Sequence, residues 1–285
     1  MTLRVGTRGS KLALAQTRLA LAALDDIELV IVRTRGDESD APLPQLGEGV
    51  FVRALEDALR RGEIDVAVHS LKDMPTDDPE DLVVAAIPAR ADPRDVIITR
   101  DRAGLADLRR GAVVGTGSVR REAFLRAARP DILTRAIRGN VDTRLAKVER
   151  GEYDAIVLAL AGLRRLGVSV GEHEVLSIDL CPPAPGQGAL AVQCRRDDGA
   201  TRALLAPLDH PATREGVAAE RALLRALGAS CEIPLGTHGR IEDGALVLDA
   251  ALATPDGVRR AHIRGRDAAG VAARAHDELL AGAHA

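Results

Sequence analysis

The chain has 285 residues, enough to bury the cores of two or three domains. Basic and acidic residues nearly balance, 39 against 42, so there is no global field for gripping nucleic acid or a membrane surface. One tyrosine, two phenylalanines and no tryptophan exclude a base-stacking platform and oblige the cores to be built from Leu, Val, Ile and Ala.

In chain order, Leu3 to Gly6 reads as a short strand and Ser10 to Leu24 as a helix, with Leu12, Ala15, Leu19 and Ala22 on one stripe. Glu28 to Thr34 is a second strand, Val50 to Arg61 a helix, and Ile64 to Val68 a third strand. That strand runs into His69, Ser70, Lys72 and Asp73, and Met74-Pro75 stops it, because proline cannot donate to a ladder. Leu82 to Ile87 and Asp95 to Thr99 are strands on either side of Pro88 to Pro93. Strand Ala112 to Gly115, helix Ser118 to Ala128, strand Ile132 to Ile137, helix Val141 to Arg150 and strand Asp154 to Ala159 continue the alternation. Such a pattern predicts mostly parallel sheets with helices on both faces.

Pro88 to Pro93 and Cys181 to Gly188 read as hinges, with Ala189 to Cys194 one more strand after the second. That arrangement predicts a middle domain (94–183) inserted into a first (1–88 with 189–207). Helices near Arg202 to Leu205 and Arg214 to Leu227 follow. Leu246 to Leu252 and Arg259 to Arg264 then alternate as antiparallel strands around Pro255-Asp256-Gly257, and a helix from Ala268 to Leu280 closes a small α+β domain (211–285).

Three strand-to-helix turns share small residues, a hydroxyl or amide, and arginine: Gly6 to Ser10, Gly115 to Arg121, and Arg138 to Arg144. Glycine lets backbone N–H groups approach a ligand, a helix N-terminus favours anions, and arginine holds a carboxylate by two bonds. Cations at a helix start oppose the macrodipole, so stability does not explain them. Gly6 to Lys11 misses the phosphate-loop pattern, and arginines spread over several turns suit a ligand with many carboxylates. Cys181, Cys194 and Cys231 are odd in number and far apart, and the histidines lack metal-ligand spacing, so neither a disulfide framework nor a metal site is expected. Cys231, in the small-residue turn Leu227 to Pro234 between a long helix and a strand, is open to attachment, whereas Cys181 and Cys194 read as structural. No apolar run reaches the ~20 residues of a membrane helix, and Met1 to Gly6 lacks the apolar core of a signal peptide. A cytoplasmic protein is expected.

At these residues the chain resembles the porphobilinogen deaminase (hydroxymethylbilane synthase) family. The likeness runs through the Arg8 turn, Thr34 to Asp37, His69 to Pro75, Gly115 to Arg121, Arg138 to Arg144, Ala184 to Gly188 and the Cys231 turn. It implies two lower domains that are doubly wound and periplasmic-binding-protein-like, joined by hinges, plus the α+β third domain. It implies a monomeric transferase that joins four porphobilinogen molecules head to tail with loss of ammonia, and a dipyrromethane cofactor in thioether linkage to Cys231. By motif match Asp73 is catalytic, stabilising the cation left when ammonia departs. Ser70, Lys72, Asp73, Thr116, Ser118, Arg120, Arg121 and Arg144 bind the cofactor. Arg8, Ser10, Gln16, Arg138, Arg144, Arg165 and Gln187 bind substrate or the growing chain, and His69 is structural. One departure is Glu48, in Leu46 to Phe51, where much of the family has a lysine. The alternative, a two-domain solute-binding protein for a polycarboxylate, leaves Cys231 and the third domain without a task.

Overall fold

The computed structural model describes residues 2–33, 49, 52–171, 173–228 and 233–281. Cys231, Thr34 to Asp37, Glu48, Val50 and Phe51 lie outside them. The chain runs β1 (Leu3–Thr7), α1 (Lys11–Ala20), β2 (Ile27–Ile31), α2 (Arg53–Arg60), β3 (Val66–Ser70), a 3-10 turn (Leu71–Asp73) and β4 (Leu82–Ala86). Next come β5 (Asp95–Thr99), β6 (Val113–Gly115), α3 (Val119–Ala128), β7 (Leu133–Arg135), α4 (Val141–Glu149), β8 (Ala155–Ala159) and α5 (Leu160–Arg165). It ends with β9 (Leu190–Arg195), α6 (Gly199–Leu205), α7 (Pro211–Ala226), β10 (Leu235–Glu242), β11 (Ala245–Thr254), β12 (Gly257–Gly265) and α8 (Ala268–Leu280).

Two compact units result, Met1–Ala91 with Ala189–Arg214, and Asp92–Gly188 with Glu215–Ala285. In the first, a five-stranded sheet has the order β2-β1-β3-β9-β4. β1 is parallel to β2 and β3, and β9 runs antiparallel to β3 and β4. Alternation along β3 sends Val66 and Val68 to one face, with Leu21 beyond α1 and Leu205 of α6, and Ala67 to the other with Leu55, Ala58 and Leu59 of α2.

The second unit holds a four-stranded sheet, β5-β8-β6-β7, in which only β5 is antiparallel to its neighbour. Phe124 and Leu125 of α3 cover one face, and Val148 of α4 with Leu163 of α5 the other. The same unit contains the antiparallel sheet β10-β11-β12. Leu246, Leu248, Ala250 and Leu252 of β11 face α7 and α8, whereas Ala251, Ala253 and Val258 join the core around Ile97 and Phe124.

The α/β class with a small α+β layer is the one expected. Several element bounds shift by a few residues, and two differences have a cause in the pairing. β3 extends to Ser70, so His69 lies inside the ladder opposite Ala191, because β9 arrives from more than a hundred residues downstream to pair it. β10 alternates poorly (Gly236, His238, Gly239, Arg240), and its bounds come only from pairing with β11.

Candidate active site

In the first unit the site is built at one end of the sheet. β1 and β3 are parallel neighbours, with Gly6 beside Ala67, so their carboxyl ends place Thr7-Arg8 and His69-Ser70 at the same edge. Ligands gather at such ends in α/β sheets. A Cβ at Gly6 would lie 2.3 Å from Ile64 Cδ1, so any larger residue there has to displace that side chain. Ser10 caps α1, its Oγ accepting from Ala13 N at 3.2 Å, which leaves the hydroxyl hydrogen free to donate. Gln16, buried on α1, donates to Ser70 Oγ at 2.9 Å, bringing two of the expected binding residues together.

After Ser70 the chain makes one 3-10 turn, closed by Met74 N to Leu71 O at 3.1 Å. Leu71 and Met74 are buried, so the turn is anchored by its apolar residues, leaving Lys72 half-buried and Asp73 exposed. Among the described residues Asp73 makes no hydrogen bond or ion pair, so its carboxylate stands free at the end of a buried strand. His69 is the opposite case. Its Nε2 lies 3.0 Å from Gln193 Oε1, Gln193 Nε2 donates to Glu56 Oε1 at 3.1 Å, and burial pushes the imidazole pKa down to about 4. A neutral ring donating into a buried amide–carboxylate chain is held as structure.

The second unit carries the other expected residues. Thr116 Oγ1 accepts from Ser118 N at 3.2 Å, and Ser118 caps α3 by accepting from Arg121 N at 3.4 Å. Arg120 and Arg121 point inward from the first turn of α3 and are 4% and 7% exposed. Between them stands Asp95, fully buried, with Arg120 Nη2 at 2.7 Å from Oδ2 and Arg121 Nη2 at 2.8 Å from Oδ1. Burial alone would raise the Asp95 carboxyl, but Arg121 and Arg120 hold it well below the usual carboxylate range. Gln187, 1% exposed, donates to Asp95 Oδ1 at 2.9 Å and to Pro93 O at 2.6 Å, so both amide hydrogens are used inside the protein.

Sequence reasoning missed Asp95. Its signal is an acid at the head of a strand, Asp95 to Thr99, whose next three residues are apolar and buried. Arg138 is exposed in a turn where Gly139 takes φ +105°, and Arg144 Nε donates to Gly139 O at 2.7 Å. Burial, and then the charges of Arg121 and Arg138, pull the Arg144 guanidinium down. Arg165 donates to Gly188 O at 2.6 Å, and burial pushes it down to about 10. Arg144 is thus close enough to Arg121 and to Arg138 to be repelled by each, a cost that an anionic ligand relieves.

Residues 3–203 match the family model "Porphobilinogen deaminase, dipyromethane cofactor binding domain", and residues 215–281 match "Porphobilinogen deaminase, C-terminal domain". The chain belongs to the porphobilinogen deaminase family. A porphobilinogen deaminase of Acidothermus cellulolyticus is 51% identical over 265 residues, 90% of this chain and 80% of that one. One of Thermus thermophilus is 48% identical over 270 residues, 92% of this chain and 89% of that one. Among solved structures, the periplasmic VFT2 domain of Bordetella pertussis BvgS is 18% identical with a TM-score of 0.42, over 72% of this chain and 85% of that one.

The porphobilinogen deaminase family implies a dipyrromethane, and the second unit fits it. Arg120 Nε, Arg121 Nε and Arg165 Nε are buried donors with no hydrogen-bond partner among the described residues. Buried guanidinium N–H groups left without an acceptor suit a ligand rich in carboxylates. Among the described residues no group of His, Cys, Asp and Glu could hold a metal ion, and no helix is long and apolar enough to cross a membrane.

Proposed function

We propose that this chain is a cytoplasmic, monomeric hydroxymethylbilane synthase in which Asp73 is the catalytic carboxylate and Cys231 the cofactor attachment point. The enzyme deaminates porphobilinogen and joins four units head to tail into hydroxymethylbilane. The observation that carries the catalytic assignment is the exposed Asp73 carboxylate, unpaired among the described residues, in the turn that follows a buried strand. Loss of ammonia leaves a cation on the substrate, and a free carboxylate stabilises it by charge and accepts pyrrole N–H groups. The same carboxylate is suited to taking up the proton released when the new carbon–carbon bond forms.

Lys72 and Ser70 flank Asp73 as binding groups, with Gln16 orienting the Ser70 hydroxyl. Arg8 and Ser10 meet the acetate and propionate of the incoming unit. When bound through Cys231, dipyrromethane supplies the free pyrrole α-carbon from which the chain grows. Thr116, Ser118, Arg120, Arg121 and Arg144 would hold its carboxylates, and Arg138, Arg144 and Arg165 those of the growing chain. We assign the chain three domains, 1–88 with 189–207, 94–183, and 211–285, the last carrying Cys231. The near-neutral charge supports a small-molecule substrate with no nucleic-acid partner.

Intact-protein mass spectrometry tests this reading. Purified chain should exceed its sequence mass by one dipyrromethane, and Cys231→Ala should lose the addition. Asp73→Asn should keep the addition and the thermal midpoint, while its kcat falls by on the order of 10² to 10⁴. An unmodified wild-type chain, or an Asp73→Asn variant with wild-type turnover, would sink the proposal.

A further inference from the structure

Asp95 is fully buried in the second unit, and both of its oxygens are engaged. Its two oxygens take Arg120, Arg121 and Gln187, and the Cys181 thiol lies 3.6 Å from Oδ2. Arg120 Nη1 goes on to Pro182 O and lies 3.5 Å from Cys181 Sγ, while Arg121 Nη1 donates to Val157 O at 3.0 Å. Every terminal guanidinium nitrogen is therefore pinned by Asp95, by a backbone carbonyl, or by both Pro182 O and the Cys181 sulfur. The two Nε atoms, by contrast, are buried with no hydrogen-bond partner among the described residues.

The charge count is equally specific. Two guanidiniums face one carboxylate, and the third ionisable group, Cys181, is neutral because burial pushes its thiol up to about 11. A buried cluster with one uncompensated positive charge is costly, and a carboxylate placed against it removes that cost.

We propose that Asp95 is a positioning residue: it fixes Arg120 and Arg121 by one oxygen each and leaves the pair one negative charge short, so that a single ligand carboxylate completes the cluster. Gln187 serves the same arrangement by holding Asp95 Oδ1. This rests on the reading that Arg120 and Arg121 hold cofactor carboxylates.

The test uses full-length apo-protein made in a host without porphobilinogen. Porphobilinogen is then added, and the rate at which the mass of one dipyrromethane appears on the protein is followed. Folding is monitored by circular dichroism and thermal unfolding. Asp95→Asn should stay folded but load on the order of 10- to 100-fold more slowly, since a misplaced binding pair loses much of its effect. Asp95→Glu, which keeps the charge, should recover part of the rate. A folded Asp95→Asn that loads at the wild-type rate overturns the proposal. If Asp95→Asn fails to fold, Gln187→Met decides: slower loading supports positioning, and wild-type loading overturns it. Arg121→Gln separates the underlying reading. Wild-type loading in that variant overturns the cofactor assignment itself, whereas slow Arg121→Gln with fast Asp95→Asn overturns the positioning role alone.

Discussion

His69 and Asp73 stand four residues apart and meet opposite environments. The residue type best known for proton transfer is buried and neutral, and the carboxylate is in water. The burial of His69 has a measurable consequence for acid stability. Its folded pKa is depressed to about 4, while the unfolded chain takes up that proton near 6.5. Between those values the unfolded state binds more protons, so stability falls as pH falls. The contribution is complete above about pH 6.5 and lost by about pH 4, a difference of about 3 kcal/mol. Urea unfolding of wild type and His69→Gln at several pH values should show a shallower acid loss in the variant, whose amide keeps a donor for Gln193. An unchanged pH slope in His69→Gln would refute this account.

At the level of elements, most strands and helices follow from periodicity, and the boundaries that shift do so for identifiable reasons. β5 and α8 coincide with their expected limits because buried apolar runs are bounded by clear stops. Asp267 caps α8, accepting from Gly270 N at 2.8 Å. The Ser10 and Ser118 turns were legible both as helix starts and as candidate ligand turns. Their hydroxyls do cap the helices, which accounts for the serines, and in the Ser118 turn Arg120 and Arg121 are held from within by Asp95. The tight approach of β1 to Ile64 was not legible, because nothing local marks Gly6 as more than a turn residue. Gly6→Val should force Ile64 and Leu55 of α2 outward and destabilise the fold by about 1–3 kcal/mol, read as a lower urea midpoint. A wild-type midpoint would mean that the Ile64 side chain yields without cost.

For the whole molecule, Pro88 to Pro93 and Cys181 to Gly188 predicted an inserted middle domain and a separate third one, whereas the chain forms two compact units, the second of which takes in both 92–188 and 215–285. What pattern alone did not reveal is that the antiparallel sheet shares a core with the inserted one. A strand whose two faces are both buried alternates too weakly to announce two neighbours, and Ala251 and Ala253 are small enough to pass as turn-side residues. The shared core makes the two sheets depend on each other. A chain ended at Leu227 loses β10 to α8 and exposes the cluster of Ile97, Phe124 and Val157. It should bind a hydrophobic dye and melt without a cooperative transition. Sharp two-state melting of that truncated chain would show the Ile97 cluster to be self-sufficient.

Tyr153 is the only tyrosine and there is no tryptophan. It is buried in the second unit, its hydroxyl donating to Ala136 O at 2.7 Å and the Arg135 guanidinium 4.2 Å above its ring. The protein is therefore nearly dark in the near ultraviolet, with one tyrosine whose emission reports on the neighbourhood of the Arg138 turn. Pyrrole absorbance gained on loading can be read against an almost blank background, and a change in tyrosine emission on the same time course would localise the event without any introduced label.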